Sequence, residues 1–522
     1  MKKRIGQFVI GLGVIFLCVF SGYASGNRWL PESSSYSTLK PFYKFVNYRP
    51  LTIYVYDQDS LEPIPDATVM IGEKENSPFQ GNWMKTNGEG EVSFGGFLFP
   101  SDPMTITVRH PQYSGCTIFD TEAYDVHIPL AKLEETQIPK TDLRGSFTQW
   151  PPMEDHDEIL HLGFLLPALD LISFINFSSD KLMAPYVNAH IYKDVRVPGN
   201  LVIPSQEEKL LGFIPVYVSK PDFRMPFLSG STQNLIALSG EVPFSPIAKG
   251  FLYKKPLLEI LNQVSIARFG MLRNYQIPSS TTTLDIPLSQ SLDVKFQISL
   301  ENSPEGKDII YISMGALDEA RSSLIPFDFK MTARNEKTKS AELKSVHSLL
   351  ELSAFSKEIM VFAADLSPQS KDSASTGAIK NVDDLNTSIK FGAFLGLNDL
   401  SYAQSSFSHT LKTNQKDAVA SHLNLSFLSI DIPGSSEEKG KSRVWWTVIT
   451  PPSRSKFTLP VLPEGLSTLP TLAPQEELRW VLNRFALEGN PAFSYHDLDD
   501  KFLSKYLTHF SWNQITIAKG KQ

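Results

Sequence analysis

The chain has 522 residues, 49 Lys+Arg against 56 Asp+Glu, and two cysteines, Cys18 and Cys116. Its net charge of −7 repels a phosphate backbone and no concentrated basic stripe offsets it, which excludes nucleic acid as a partner. At roughly 150 residues per domain, the length suggests three domains once an N-terminal leader is set aside.

That leader is MKKRIGQFVIGLGVIFLCVFSGYA, residues 1–24. Lys2, Lys3 and Arg4 precede an apolar run from Phe8 to Phe20, followed by Gly22 and Ala24, which is the layout of a secretory signal peptide cut after Ala24. An uncleaved anchor is the alternative, and the run is short for one. Cys18 follows Leu17, so it lacks the small neighbour that a lipoprotein cysteine needs. Cleavage removes three cations, leaving 46 Lys+Arg against 56 Asp+Glu, and leaves Cys116 as the sole cysteine, so no intramolecular disulfide forms. An exported chain stabilised by ordinary cores alone fits a bacterial envelope. The product is then periplasmic, cell-surface or secreted.

After a linker over 25–46, period-two alternation begins. In LTIYVYD (51–57), Leu51, Ile53 and Val55 share one face and Thr52, Tyr54 and Tyr56 the other. ATVMI (67–71), EVSF (91–94), MTITV (104–108) and DVHIPL (125–130) repeat the pattern, which predicts half-buried strands of an antiparallel sandwich. Between two of these runs lies KTNGEGEVSF (85–94). A phosphate loop would open a helix, and an EF-hand would place acids at fixed positions that Lys85, Thr86 and Glu89 do not supply. Asn87-Gly88 instead predicts a hairpin turn.

The stretch DQDSLEPIPDATVMI followed by KTNGEGEVSF resembles the carboxypeptidase regulatory-like domain, a transthyretin-like β-sandwich. The residues that carry the resemblance are Val55, Asp57, Pro63, Ile64, Ala67, Val69, Thr86, Asn87, Gly90, Val92 and Phe94, with HPQYSG (110–115) similar to a later element of that family. It covers about residues 47–135. The resemblance implies a fold and a supporting or binding role, and no catalysis, since that domain accompanies enzymes, receptors and adhesins alike.

Beyond it the chain reads as mostly β, in a region 136–288 and a C-terminal region 289–522. HLGFLLPALDLISFINF (161–177) carries Pro167 and Asp170 near its middle and reads as buried core, not a membrane span. KKPLLEILNQVSIARFGMLRN (254–274) predicts one amphipathic helix with Leu257, Leu258, Leu261, Val264, Ala267, Phe269 and Leu272 on its apolar face. Strands are expected at 291–300, 308–314, 358–364, 388–397, 422–432, 443–449 and 477–485, and polar loops at 367–388 and 433–442.

Sites are few. The acidic turn MEDHDEILHLG makes His156, His161 and Asp157 the best metal candidates, although the two histidines lie five apart and do not converge locally. No metal or other cofactor is expected. Gly440-Lys441-Ser442 leads into a strand, so it is not a nucleotide loop. No HExxH or G-x-S-x-G element occurs, and the S-x-x-K match at Ser178 to Lys181 lacks its companion elements. Trp445 and Trp446 are neighbours on a strand and should point to opposite faces; with Trp83 they are the candidates for stacking on a sugar ring or a partner.

The leading expectation is an exported, non-catalytic binding or scaffolding protein that recognises an envelope protein or polysaccharide. One rival is an envelope-polymer hydrolase or transferase with a site in 136–300, which convergence of His156, His161 or His190 with carboxylates would favour. Another is a subunit of a surface assembly that uses an open strand edge.

Overall fold

The computed structural model describes most residues from Leu51 to Gly520; residues 1–50, the stretches 73–82, 95–103, 153–158, 172–183, 189–195, 244–264, 346–355, 365–373, 391–399, 414–421, 433–440 and 488–504, and some shorter ones lie outside that description. The leader, the linker, His156, Asp157 and His190 therefore lie outside the described residues. What is described is a mostly β, multidomain chain. No described helix is long and apolar enough to cross a membrane. The chain gathers into two compact units, both assembled from separated stretches of sequence.

One unit contains residues 137–366 and 380–390. A five-stranded sheet runs in the order Leu201–Val202, Ile159–Pro167, Thr232–Pro243, Ser265–Gln276, Gln290–Ser291. A three-stranded sheet of Asp222–Leu228, Lys140–Thr148 and Thr282–Pro287 contributes Leu143, Phe147, Phe223 and Ile286 to a core shared with Leu165, Leu235 and Ala237 of the first. Residues 140–148 alternate buried and open, as a strand with one face on a core must. The same unit holds two further ladders: Leu324–Thr332, Asp308–Ala316 and Ser356–Ala364, and Ser340–Ser345, Val294–Glu301 and Asn386–Lys390.

The other unit contains residues 26–136, 367–379 and 391–522. Glu91–Phe94, Leu51–Asp57 and Asp125–Leu130 form one sheet. Leu51, Ile53 and Val55 are fully buried, and burying each such side chain stabilises by about 1.5–3 kcal/mol. A long sheet runs Ala374–Asn381, Leu507–Lys519, Glu477–Leu487, His422–Ile432, Lys441–Thr450, Gly115–Thr121, Met104–Arg109, Thr68–Gly72, Trp83–Lys85. Strands from the N-terminal sandwich and from the C-terminal region thus share one sheet, through parallel pairing of Gly115–Ile118 with Trp446–Ile449. The expected all-antiparallel arrangement is corrected here and at Leu51–Asp57, which pairs in parallel with Asp125–Leu130.

Three further expectations are corrected. The helix over 254–274 is absent from its described half, because Ser265–Gln276 is a strand paired along its length with Thr232–Pro243. A bulge leaves Ala267 unmatched between the pairs Gly240–Ile266 and Ser239–Arg268, so Ile266 and Phe269 fall on one face three residues apart. That spacing imitates a helix. The polar loop over 367–388 contains the strand Ala374–Asn381, whose small residues fit beneath a ring; a Cβ on Gly377 would overlap Phe510. Finally, KTNGEGEVSF turns the chain without making a hairpin. Trp83–Lys85 pairs with Thr68–Gly72, whereas Glu91–Phe94 pairs with Leu51–Asp57, so the turn carries the chain from one sheet to the other. Asn87 Oδ1 accepts the amides of Glu89 and Glu91 at 2.9 Å each, and Gly90, not Gly88, takes the left-handed conformation at φ +71°.

Candidate functional site

In the first unit, three polar residues stand level across three adjacent strands. Glu241 pairs with His161 on one side and Ser265 on the other. Directly opposed residues of an antiparallel ladder bring their side chains together on one face. His161 is buried, and its Nδ1 lies 3.7 Å from Glu241 Oε1, an ion pair whenever the ring is protonated. Glu241 keeps 38% of its side chain open to solvent, and Ser265 is half-buried.

A fourth residue reaches this row from a separate ladder. Lys344 Nζ donates to Ser265 Oγ at 2.6 Å and to the Ile266 carbonyl at 3.0 Å. Its backbone is fixed by Asp328, whose carboxylate accepts the Lys344 amide at 2.9 Å and its own neighbour's amide, Phe329, at 2.9 Å. Burial pushes the Lys344 ammonium below the ordinary lysine range, with Lys330 and Lys295 adding to the effect and Asp328 and Glu241 opposing it. Burial also raises the Asp328 carboxyl, against the pull of Lys330 and its two amide bonds. A serine hydroxyl bonded to an amine of lowered basicity is an arrangement capable of nucleophilic chemistry.

Of the residues marked out by sequence, only His161 joins this group. Ser265, Glu241 and Lys344 carry no local signal: they lie far apart in the chain, and Ser265 falls within the stretch that reads as a helix. Among the described residues, no three His, Cys, Asp or Glu side chains gather as a metal ion would require.

The tryptophans lie in the second unit. Trp446 is fully buried, its Nε1 donating to Thr117 Oγ1 at 3.0 Å, so neither of its faces is open. Trp445 is half-buried, donates to the Thr468 carbonyl at 3.0 Å, and packs on the same core. Trp446 is the buried member of the pair and Trp445 the more open one, and Trp445 is the extra residue of a bulge between Leu428–Trp446 and Ser429–Val444. Arg109, itself buried, stacks over both rings and donates to the Tyr113 carbonyl. Trp83 differs from both. It sits on the strand that ends the long sheet among the described residues, 46% exposed, with Met84 beside it at 45%.

No family model and no curated protein matches this chain. Among solved structures, it is similar to GBS52, the minor pilin of Streptococcus agalactiae, at 7% identity over 47% of this chain and 98% of that one, with a TM-score of 0.14. It is similar to BcpA, the major pilin subunit of Bacillus cereus, at 10% identity over 66% and 99%, with a TM-score of 0.13. Chicken CNTN1 FN1–FN3 domains match at 7% identity over 74% and 97%, with a TM-score of 0.12. Scores of this size assign no role.

Proposed function

We propose that this chain is an exported binding or scaffolding protein of the bacterial cell envelope or surface, working as a subunit of a larger assembly. It recognises a protein partner by strand addition at the edge Trp83–Lys85. The observation that carries this reading is the exposure of Trp83 and Met84 on the strand that ends the long sheet among the described residues. An edge strand offers unpaired N–H and C=O groups, which native proteins blunt with charge, proline or cover. Here the edge presents an indole and a thioether, side chains suited to anchoring a partner strand. The cationic and apolar pattern of residues 1–24 supports export. The turn chemistry supports a transthyretin-like reading of the N-terminal sandwich. Thr86 Oγ1 donates to the Ile64 carbonyl at 2.7 Å and accepts the Ala67 amide at 2.9 Å, tying the two halves of the resemblance together.

The test is site-specific photocrosslinking in the producing cell, with a benzophenone side chain at position 83 and a control at the exposed Leu228. A discrete protein adduct at 83, absent at 228 and abolished by Lys85→Pro, which removes an outward N–H of the edge, with an unchanged melting temperature, supports the reading. Equal patterns at both positions, or adducts to glycan alone, overturn it.

A further inference from the structure

The row His161–Glu241–Ser265 and the lysine that reaches it do more than the edge strand requires. We propose that Ser265 and Lys344 form a nucleophile–base pair that accepts an acyl group from a carboxylic ester. This goes beyond the binding role and is independent of the edge Trp83–Lys85.

Four observations support it. Lys344 Nζ is 2.6 Å from Ser265 Oγ, within the distance for direct proton transfer. The second bond from Nζ, to the Ile266 carbonyl, fixes the amine against the strand that carries the serine, so the pair is pre-aligned. Asp328 grips the Lys344 backbone and not its ammonium, so the stem is anchored while the amine keeps its proton chemistry. Ser265 and Lys344 are both half-buried beside the solvent-open Glu241, which leaves the pair reachable while part of the lysine is desolvated.

The steps balance. Neutral Lys344 Nζ takes the proton of Ser265 Oγ as Oγ bonds to the ester carbonyl carbon. The bond from that carbon to the leaving alcohol breaks, and the alcohol oxygen takes the proton from Nζ, leaving an acyl ester on Ser265. Water then gives a proton to Nζ and attacks the acyl carbon. Ser265 Oγ departs with that proton and releases the carboxylic acid. Asp328 is a positioning residue, since it acts only through Lys344.

The test uses the full chain and an alkyl fluorophosphonate, which bonds to an activated serine with loss of fluoride. Peptide mapping should place a single adduct on Ser265. Ser265→Ala should remove it. Lys344→Arg, which keeps a cation and its donors but supplies no base, should slow labelling at least about a hundredfold while the circular-dichroism melt stays that of a folded protein. The wild-type labelling rate should rise with pH through a midpoint below the ordinary lysine value of about 10.4. If Lys344→Arg fails to fold, that profile decides alone, because a purely structural hydrogen bond gives no such inflection. An unlabelled Ser265, labelling at the wild-type rate in folded Lys344→Arg, or a pH-independent rate overturns the proposal.

Discussion

The guanidinium carbon of Arg109 lies 4.4 Å from the centre of the Trp445 ring, a buried cation laid on an aromatic face. Arg109 ends the strand Met104–Arg109, and Trp445 is the bulged residue of Lys441–Thr450, so the contact joins residues 336 positions apart in the chain across the one strand, Gly115–Thr121, that lies between theirs in the sheet. Burial lowers the guanidinium to about 10, because removing the cation from water disfavours its charged form. The ring face and the Tyr113 carbonyl offset that resistance.

Arg109→Met keeps the packed stem and removes the charge. It should cost about 1–3 kcal/mol, from the lost ring contact and an unpartnered carbonyl less the relief of burial. Combined with Trp445→Leu in a double-mutant cycle read by urea unfolding, the coupling should be about 1 kcal/mol or more. Strict additivity would mean the stack contributes nothing.

Lys220 gives a pH signature. It is buried, and its Nζ donates to the carbonyls of Gly199 at 2.8 Å, Leu201 at 2.6 Å and Asp222. Burial lowers it from 10.5 to about 8, with Asp222 opposing. The folded state therefore loses this proton first, and between about pH 8 and 10.5 the unfolded state holds more protons, so this group makes stability rise with pH across that window. The rise should be on the order of 2–3 kcal/mol. Lys220→Met should be less stable at pH 7, leaving three carbonyls unpaired, and its deficit should widen from pH 8 to 10.5. Parallel curves for the two proteins would refute the assignment.

The turn at residues 87–90 yields a matched pair of glycine variants. A Cβ on Gly90 would overlap the Val55 carbonyl oxygen in a left-handed backbone, whereas one on Gly88 meets nothing within 4 Å. Gly90→Ala should destabilise by at least about 1–2 kcal/mol, and Gly88→Ala should stay within about 0.5 kcal/mol. Thermal melts of the two variants settle the order, and a reversed ranking would place the strained residue at 88.

The half-buried Arg321 and the buried Glu358 form a bidentate pair, with both bonds at 3.2 Å and a third from Ser356 Oγ at 2.8 Å. Arg321→Met alone leaves the carboxylate buried and should cost about 3–5 kcal/mol. Arg321→Met with Glu358→Leu should recover most of that loss, since two apolar side chains need no partners. A double variant as unstable as the single one would show that the pair is needed for more than mutual neutralisation.

Some of this was written in local sequence. Alternation marks the strands at 51–57 and 104–108, and apolar runs mark those at 308–314 and 477–485; all four form where expected, although 104–109 and 308–316 are buried on both faces. Thr86 and Asn87 announce a turn because their side-chain oxygens cap nearby amides. Other elements could not be read in this way. At Ser265–Gln276 a bulge converted two-residue alternation into a helical spacing, and at Ala374–Asn381 small polar residues became a strand only because Phe510 and its neighbours supply the pairing.

The sequence by itself determined composition, charge and the alternating strands, since each depends on a residue's own chemistry and its nearest neighbours. Only the tertiary structure decided that Glu241 stands between His161 and Ser265, that Lys344 reaches that serine, and that Arg109 finds Trp445. Register and bulges set those meetings, and both are fixed by the summed burial of whole strands rather than by any short motif.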